Sequence, residues 1–84
     1  MNNVGLLKKK IIYRSEHRGI KEMDLLLGNF VKKYINKFDI FELKQLEDLL
    51  NIDDDSLFKW YLNQKREIVI PNNKVSKLLK NFKI

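Results

Sequence analysis

The sequence contains no cysteine and only one histidine, one proline and three glycines in its 84 residues. Without cysteine, the chain cannot form a disulfide, a thiolate metal site or a cysteine nucleophile. Its glycines form neither a phosphate-binding loop nor a GxGxxG turn, and no HExxH zinc motif is present. Glu16, Glu22 and Asp24 are candidate acid and base groups, but a chain of this size has little room to bury them as acid–base catalysis requires. These absences argue against an enzyme and against a resident metal or cofactor.

The sequence also lacks a long hydrophobic run. No apolar stretch approaches the roughly 20 residues that span a bilayer. The amino-terminal stretch MNNVGLLKKK places its charges after a very short apolar patch, which is unlike a secretory signal or a transit peptide. We therefore expect a monomeric, cytoplasmic protein without membrane insertion, folded as a single helical domain over residues 1–84.

The charged residues give a formal net charge of +6 but are unevenly distributed. Residues 1–21 contain six lysines and arginines against one glutamate, whereas residues 39–55 contain seven acidic residues against one lysine. A nucleic-acid-binding surface usually has a continuous basic stripe, which this alternation does not provide. The pattern therefore favours a solvated surface over a nucleic-acid footprint.

The spacing of apolar residues is helical almost everywhere and predicts an all-α fold, a small bundle of five short helices. The first helix is predicted over residues 4–13. The second, predicted over residues 19–36, is the longest. Gly28 interrupts it at a cost of about 1 kcal/mol relative to alanine, which suggests the close approach of a neighbouring helix.

Capping residues predict the starts of the other three helices. Asp39 and Glu42 have the spacing of a capping box and start a third helix. The acidic triplet at residues 53–55 is expected to begin a fourth, in which Trp60 packs in or near the core. The stretch from residue 64 is interpreted as an extended connector that ends at Pro71. Asn72 or Asn73 then caps a fifth helix, with Val75, Leu78, Leu79 and Phe82 facing inward and Lys74, Lys77, Lys80 and Lys83 facing outward.

The sequence RGIKEMD at residues 18–24 is the main candidate for a functional site. In a helix that begins near Gly19, Arg18 and Glu22 lie four residues apart on one face. Gly19 has no Cβ and would allow another backbone to approach this face closely. The segment therefore predicts a small polar recognition surface. A separate apolar stripe of the same helix consists of Met23, Leu26, Leu27, Phe30 and Tyr34.

With Lys10, Tyr13 and Ser15 at fixed distances before it, RGIKEMD resembles the RGxxE signature of the succinate dehydrogenase assembly factor family. These are small flavinylation factors of bacteria and mitochondria. The resemblance continues through LLLGNF after Asp24, an acidic cluster followed by LFKW at residues 57–60, and a proline at position 71. His17 occupies a position where the family usually has lysine or arginine.

The resemblance implies an assembly factor, or chaperone, that binds the apo flavoprotein subunit of succinate dehydrogenase and possesses no catalytic residue or cofactor of its own. Such factors promote the covalent attachment of FAD to a histidine of that subunit, and often act on fumarate reductase as well. The factor would hold the partner so that its histidine and flavin ring are close, and orientation alone can lower a barrier substantially. The partner-binding residues implied are Arg18, Gly19, Glu22, Asp24, Ser15, Tyr13 and His17.

Each of these residues also has a structural interpretation. Arg18 and Glu22 can pair with each other across one helical turn, which is worth about 0.2 to 0.5 kcal/mol. Ser15 and Asp24 can cap a helix, and His17 can be a substituted surface cation. The sequence leaves these alternatives open.

The rival interpretation of the whole chain is a small basic regulator that binds nucleic acid, such as an antitoxin. Its support is the net charge and the basic terminal helices. Because basic and acidic regions alternate, we predict a negligible electrophoretic shift of duplex or single-stranded probes at about 0.15 M salt, where non-specific contacts are already weakened. Tight, sequence-selective binding at this salt concentration would overturn the prediction.

Overall fold

A computed structural model describes residues 3–64 and 70–83 of the chain. Within these residues the chain forms five helices and no strand, which confirms the predicted all-α fold. None of the five helices combines the length and apolar character needed to cross a bilayer. The predicted connector at residues 64–71 falls largely on residues 65–69, which lie outside the described residues. The helices are α1 (Asn3–Glu16), α2 (Lys21–Tyr34), α3 (Ile40–Leu50), α4 (Asp54–Tyr61) and α5 (Lys74–Lys80).

Local hydrogen bonds start α3, α4 and α5 as the sequence predicts. The carboxylate of Asp39 accepts from the N–H of Glu42 at 2.8 Å, and the Glu42 carboxylate accepts from the N–H of Asp39 at 2.9 Å. Asp53 caps α4 by accepting from the N–H of Ser56 at 3.0 Å. Asn73 caps α5. Each cap satisfies N–H groups that the first turn of a helix leaves unpaired.

The core is built on the inner face of α2. Met23, Leu26, Leu27 and Phe30 are completely buried, as the apolar stripe predicts. At the far end of α2, the Phe30 ring packs against several aromatic rings, including Tyr34 at a centroid distance of 4.9 Å. Burial of each large apolar side chain contributes about 1.5 to 3 kcal/mol. The other helices add Ile11, Leu43, Leu46, Leu49, Leu50, Leu57, Val75 and Leu79 to the same core.

The boundaries of α1 and α2 differ from the prediction. α1 continues to Glu16 instead of ending at residue 13, and α2 begins at Lys21 instead of near Gly19. The residue before α2, Ile20, is extended with φ −116° and ψ 128° and provides no side-chain cap. Arg18 and Gly19 therefore precede the helix in a loop, where their backbone N–H groups bind carboxylates.

Lys80 does not face outward as predicted. Its ammonium lies 4.6 Å from the centroid of the Trp60 ring and donates to the Trp60 carbonyl oxygen. Burial lowers the pKa of Lys80 from its ordinary value. The apolar stem of a lysine can cover an aromatic surface while its charge remains near solvent, which explains why one lysine of an otherwise exposed row turns inward. Trp60 itself is partly buried against the core, as predicted.

Gly28 lies buried in the middle of α2. A Cβ added there would have the Cγ of Glu16 as its nearest neighbour outside α2, at 3.8 Å, which is an ordinary van der Waals distance. The approach of α1 that the sequence suggests therefore does not itself require glycine.

Replacing Gly28 with alanine should accordingly raise the free energy of unfolding by about 0.5 to 1 kcal/mol, because alanine loses less backbone entropy in a helix. Chemical denaturation measures this difference. Leu27→Ala, at the adjacent and fully buried position, should lower the free energy of unfolding by about 2 to 5 kcal/mol and so calibrates the assay. A destabilised Gly28→Ala variant would show that the prediction is wrong.

Glu42 connects α3 to α5 in addition to its role in capping. Its carboxylate lies 2.7 Å from the ammonium of Lys74. The hydrogen bond from Lys74, together with that from the N–H of Asp39, lowers the pKa of Glu42 from its ordinary value of 4.5. A carboxyl group whose pKa is lower in the folded state stabilises the fold above its unfolded pKa, and this contribution is lost as the pH falls.

Glu42→Gln keeps an oxygen for the N–H of Asp39 but removes the charge. We expect its Tm to lie below that of the wild type at pH 7, and the difference to shrink as the pH falls below about 4.5. Asp48→Asn makes the same change in charge at an exposed position of α3 and serves as the matched control, with little pH-dependent difference expected. A Glu42→Gln difference that stays constant down to about pH 3 would contradict the assignment.

Candidate functional site

The seven residues predicted to bind a partner lie near the connection between α1 and α2. We call residues 17–20 the α1–α2 loop. Two of the predicted residues belong to α1, three to the loop and two to the first turn of α2. They are, in chain order, Tyr13, Ser15, His17, Arg18, Gly19, Glu22 and Asp24.

The side chain of Arg18 points into the protein. Its Nε donates to Oδ1 of Asp54 at 2.6 Å. Its Nη1 donates to the carbonyl oxygen of Leu50 at 2.7 Å, and its Nη2 to that of Ile52 at 2.8 Å. The side chains of Arg18 and Asp54 are only 10% and 14% exposed. All three guanidinium nitrogens therefore have internal acceptors, as a largely buried charge requires.

The turn between α3 and α4 explains this position of Arg18. The last carbonyl groups of a helix have no intrahelical partner, and Leu50 is the final residue of α3. A cation is favourable at the carboxyl end of a helix, and a carboxylate such as that of Asp54 is favourable in the first turn of the next one. The guanidinium of Arg18 thus satisfies groups at two helix ends at once.

Two carboxylates hold the backbone of the α1–α2 loop. Oδ2 of Asp54 accepts from the N–H of Gly19 at 2.7 Å, and Oδ1 of Asp24 accepts from the N–H of Arg18 at 2.6 Å. Gly19 remains exposed. A Cβ added to Gly19 would lie 3.6 Å from Oδ2 of Asp54, an ordinary contact distance. The loop backbone is thus held by Asp24 of α2 and Asp54 of α4, while Gly19 remains accessible to solvent.

Glu22 is exposed in the first turn of α2. Its side chain makes no hydrogen bond or ion pair with residues 3–64 or 70–83. The interpretation in which Arg18 and Glu22 share a helix face is wrong, because Arg18 precedes the helix. Pairing between these two residues across a helical turn is wrong as well, since the guanidinium binds Asp54 instead.

Tyr13, in α1, and His17, in the α1–α2 loop, form an aromatic pair. Their ring centroids are 4.0 Å apart and the rings are nearly parallel, at an angle of 17°. Nδ1 of His17 lies 2.8 Å from the carbonyl oxygen of Tyr13, which ties the imidazole to the last turn of α1. Because Tyr13 is 63% exposed, the pair presents an aromatic surface to solvent.

Ser15 differs from the other predicted residues. Its side chain has no exposed surface, and its hydroxyl donates to the carbonyl oxygen of Ile12 at 2.8 Å. The predicted direct contact between Ser15 and a partner does not fit this burial. Ser15 instead lies inside the final turn of α1, where its hydroxyl is satisfied locally.

Sequence reasoning missed Asp54, which binds both the Arg18 side chain and the Gly19 backbone. The acidic triplet at residues 53–55 contained a signal for it, because one cap residue is enough to start α4 and Asp53 fills that role. A second missed residue is Arg14, which donates to the carbonyl oxygen of Leu50 and the side chain of Asn51. Arg14 from the last turn of α1 and Arg18 from the α1–α2 loop therefore converge on the α3–α4 turn.

Among the described residues, no group of histidine and acidic side chains is arranged to hold a metal ion. The α1–α2 loop and the helix turns that flank it instead provide the free carboxylate of Glu22, the exposed Gly19 and the pair of Tyr13 and His17. Such a surface can accept charge-assisted hydrogen bonds and allow the close approach of another backbone. These are properties of a site for protein recognition.

Comparison with known proteins gives a family match over residues 9–83, to the family described as the flavinator of succinate dehydrogenase. The matched range includes the whole α1–α2 loop and all of α2 to α5. No solved structure gives a significant match to the chain.

Curated relatives are named succinate dehydrogenase assembly factor 2, mitochondrial. One from Schizosaccharomyces japonicus is 36% identical over 61 residues, covering 73% of this chain and 43% of the relative. Another, from Arabidopsis thaliana, is 39% identical over 57 residues, covering 68% of this chain and 30% of the relative. A third, assembly factor 2-A of Drosophila mojavensis, is 39% identical over 75 residues, with coverage of 87% and 48%. The chain thus spans less than half the length of each of these three proteins.

Proposed function

The chain belongs to the family of flavinators of succinate dehydrogenase, and from this we propose that it is an assembly factor for the flavoprotein subunit of that enzyme. In this proposal it binds the subunit before the flavin is covalently attached, and promotes attachment of the FAD that the subunit carries. The family match supports the proposal because it extends over nearly all of the chain. The relatives' printed names support the same role in assembly.

The observation that carries the placement of the site is the contrast between Arg18 and Glu22. Arg18 has all its side-chain nitrogens bound internally. Glu22, four residues later, is exposed and has no partner among residues 3–64 and 70–83. A charged group that the fold does not use is available to a partner, where it can accept charge-assisted hydrogen bonds. In this proposal, Glu22 and Gly19 meet the flavoprotein subunit directly, with Tyr13 and His17 beside them.

The bond formed during flavin attachment joins two groups of the flavoprotein, so the assembly factor contributes arrangement and not a reacting atom. Holding reacting groups in the correct orientation can supply about 7 to 11 kcal/mol of a barrier in favourable cases. To do so, the factor must bind the reactive arrangement of its partner more tightly than the others. A recognition surface that is held in place before binding suits this task, because it loses little conformational entropy when the partner binds.

The sequence also led to predictions about nucleic-acid binding, cellular location and oligomeric state. The family match and the named relatives give no support to a nucleic-acid-binding regulator. The relatives cited above are named as mitochondrial proteins, so a cytoplasmic location for this chain stays a prediction. The monomeric state also stays a prediction.

Glu22→Ala should strongly reduce covalent flavin attachment while leaving Tm nearly unchanged, because the carboxylate lacks a partner within the described part of the chain. Truncating one member of a desolvated charged contact costs about 2 to 5 kcal/mol of binding. Gly19→Arg should have a similar effect by placing a long side chain on the open surface of the loop. The measurement is the covalent flavin fluorescence of the flavoprotein subunit after denaturing electrophoresis.

Two controls separate recognition from folding. Asp48→Ala removes an exposed carboxylate of α3, outside the proposed surface, and should retain full flavin attachment. Trp60→Ala removes a ring packed against the core and should lower Tm by destabilising the domain. Full flavin attachment with folded Glu22→Ala and Gly19→Arg would refute this placement of the site.

A further inference from the structure

We propose that Asp54, at the start of α4, is a positioning residue for partner recognition, which acts by locking the α1–α2 loop through Arg18 and Gly19. This inference rests on the proposed function, because the recognised partner is taken to be the flavoprotein subunit. It assigns a role to a residue that lies 36 positions from Arg18 along the chain. It also means that Arg18 acts within the protein and makes no direct contact with the partner.

The two oxygens of Asp54 have separate tasks. Oδ1 accepts from the side chain of Arg18 at 2.6 Å, and Oδ2 accepts from the backbone of Gly19 at 2.7 Å. One carboxylate therefore sets both the direction of the guanidinium and the path of the adjacent backbone. Asparagine has a single side-chain acceptor and cannot replace both bonds. The arrangement specifically requires a carboxylate.

The geometry also leaves Arg18 little exposed surface for a partner. Its guanidinium is held by a carboxylate and by the carbonyl oxygens of Leu50 and Ile52, and its side chain is 10% exposed. To turn toward another protein, the guanidinium would have to break these three hydrogen bonds and leave Oδ1 of Asp54 without its donor. Leaving a buried charge without its partner is strongly unfavourable. Direct recognition is thus left to groups such as Gly19 and Glu22, whose positions depend on the locked loop.

The role of Asp54 is separable from the start of its own helix. The cap of α4 is Asp53, whose carboxylate accepts from the N–H of Ser56 at 3.0 Å. Substitution of Asp54 therefore leaves the cap in place. The next residue, Asp55, has a side chain that is 70% exposed and pairs only with Lys59 among the described residues. Asp55→Asn makes the same change in charge in the same helical turn and is the matched control.

The first experiment compares Asp54→Asn with Asp55→Asn, using the apo flavoprotein subunit of succinate dehydrogenase as the binding partner. Asp54→Asn should weaken the affinity for the subunit about 10- to 100-fold. This change corresponds to the loss of one of the two charged hydrogen bonds that Asp54 makes to Arg18 and Gly19. Asp55→Asn should bind like the wild type. Amide hydrogen exchange should be faster at Gly19 in Asp54→Asn alone, because its N–H loses an acceptor. Wild-type affinity of a folded Asp54→Asn variant would overturn the proposal.

A second variant distinguishes positioning from direct contact. Arg18→Lys keeps the positive charge, but an ammonium on a flexible stem cannot reproduce the planar fork that spans three acceptors. If Arg18 acts through Asp54, Arg18→Lys combined with Asp54→Asn should bind about as weakly as the worse single variant. Losses that multiply in the double variant would show that Arg18 contacts the partner itself, and would overturn the proposal. If Asp54→Asn does not fold, Arg18→Lys is measured alone, and wild-type affinity of a folded Arg18→Lys variant would overturn the proposal.

Failure of this inference can be distinguished from failure of the proposed function. A wild-type protein that neither binds the flavoprotein subunit nor promotes flavin attachment would remove the proposed function. In that case, the rate of amide hydrogen exchange at Gly19 still tests whether Asp54 holds the α1–α2 loop. Faster exchange in Asp54→Asn than in Asp55→Asn supports this role of Asp54, and equal rates overturn it.

Discussion

The conformation of the candidate site depends on the hydrogen bonds that hold the guanidinium of Arg18 between the end of α3 and the start of α4. Carbonyl groups at the carboxyl end of a helix need donors, and a carboxylate in the first turn of the next helix needs a counter-charge. Arg18 supplies both through hydrogen bonds of 2.6 to 2.8 Å. A side chain from the first connection of the chain thereby fixes the third, and the α1–α2 loop is drawn onto the α3–α4 turn.

The two ends of α2 have different tasks. Its first turn carries Glu22 and follows the anchored loop, whereas its last turns place Phe30 and Tyr34 in an aromatic cluster with Phe38 and Phe82. Between the two ends, α2 buries a continuous apolar stripe. The helix therefore connects the buried core to a loop whose backbone is held by the carboxylates of Asp24 and Asp54. A preorganised surface of this kind loses little entropy when a partner binds.

The residues of the RGxxE signature do not all face the same way. Within five consecutive residues, the arginine faces inward, the glycine is exposed and the glutamate is exposed without a partner in the described part of the chain. In the proposed function, the signature thus combines a structural anchor with a recognition group, so loss of either would impair that function by a different route. The exposed pair of Tyr13 and His17 extends the surface on the α1 side. A factor that arranges its partner without contributing a reacting atom needs a surface of fixed shape more than any single reactive side chain.

What the sequence determined by itself was the local order of the chain. Helical periodicity and cap hydrogen bonds act over three to four positions, so patterns within a few residues predict them. Such patterns predicted the capping box of Asp39 and Glu42, the cap at Asn73 and the buried stripe of α2. Only the tertiary structure decided where Arg18 points, because its partner Asp54 lies 36 positions away and no short-range pattern specifies that pairing. The same long-range contacts displaced the start of α2 from Gly19 to Lys21. Ser15 and Lys80, polar residues predicted to be accessible, were also drawn inward, because neighbouring backbone carbonyl groups satisfy them there.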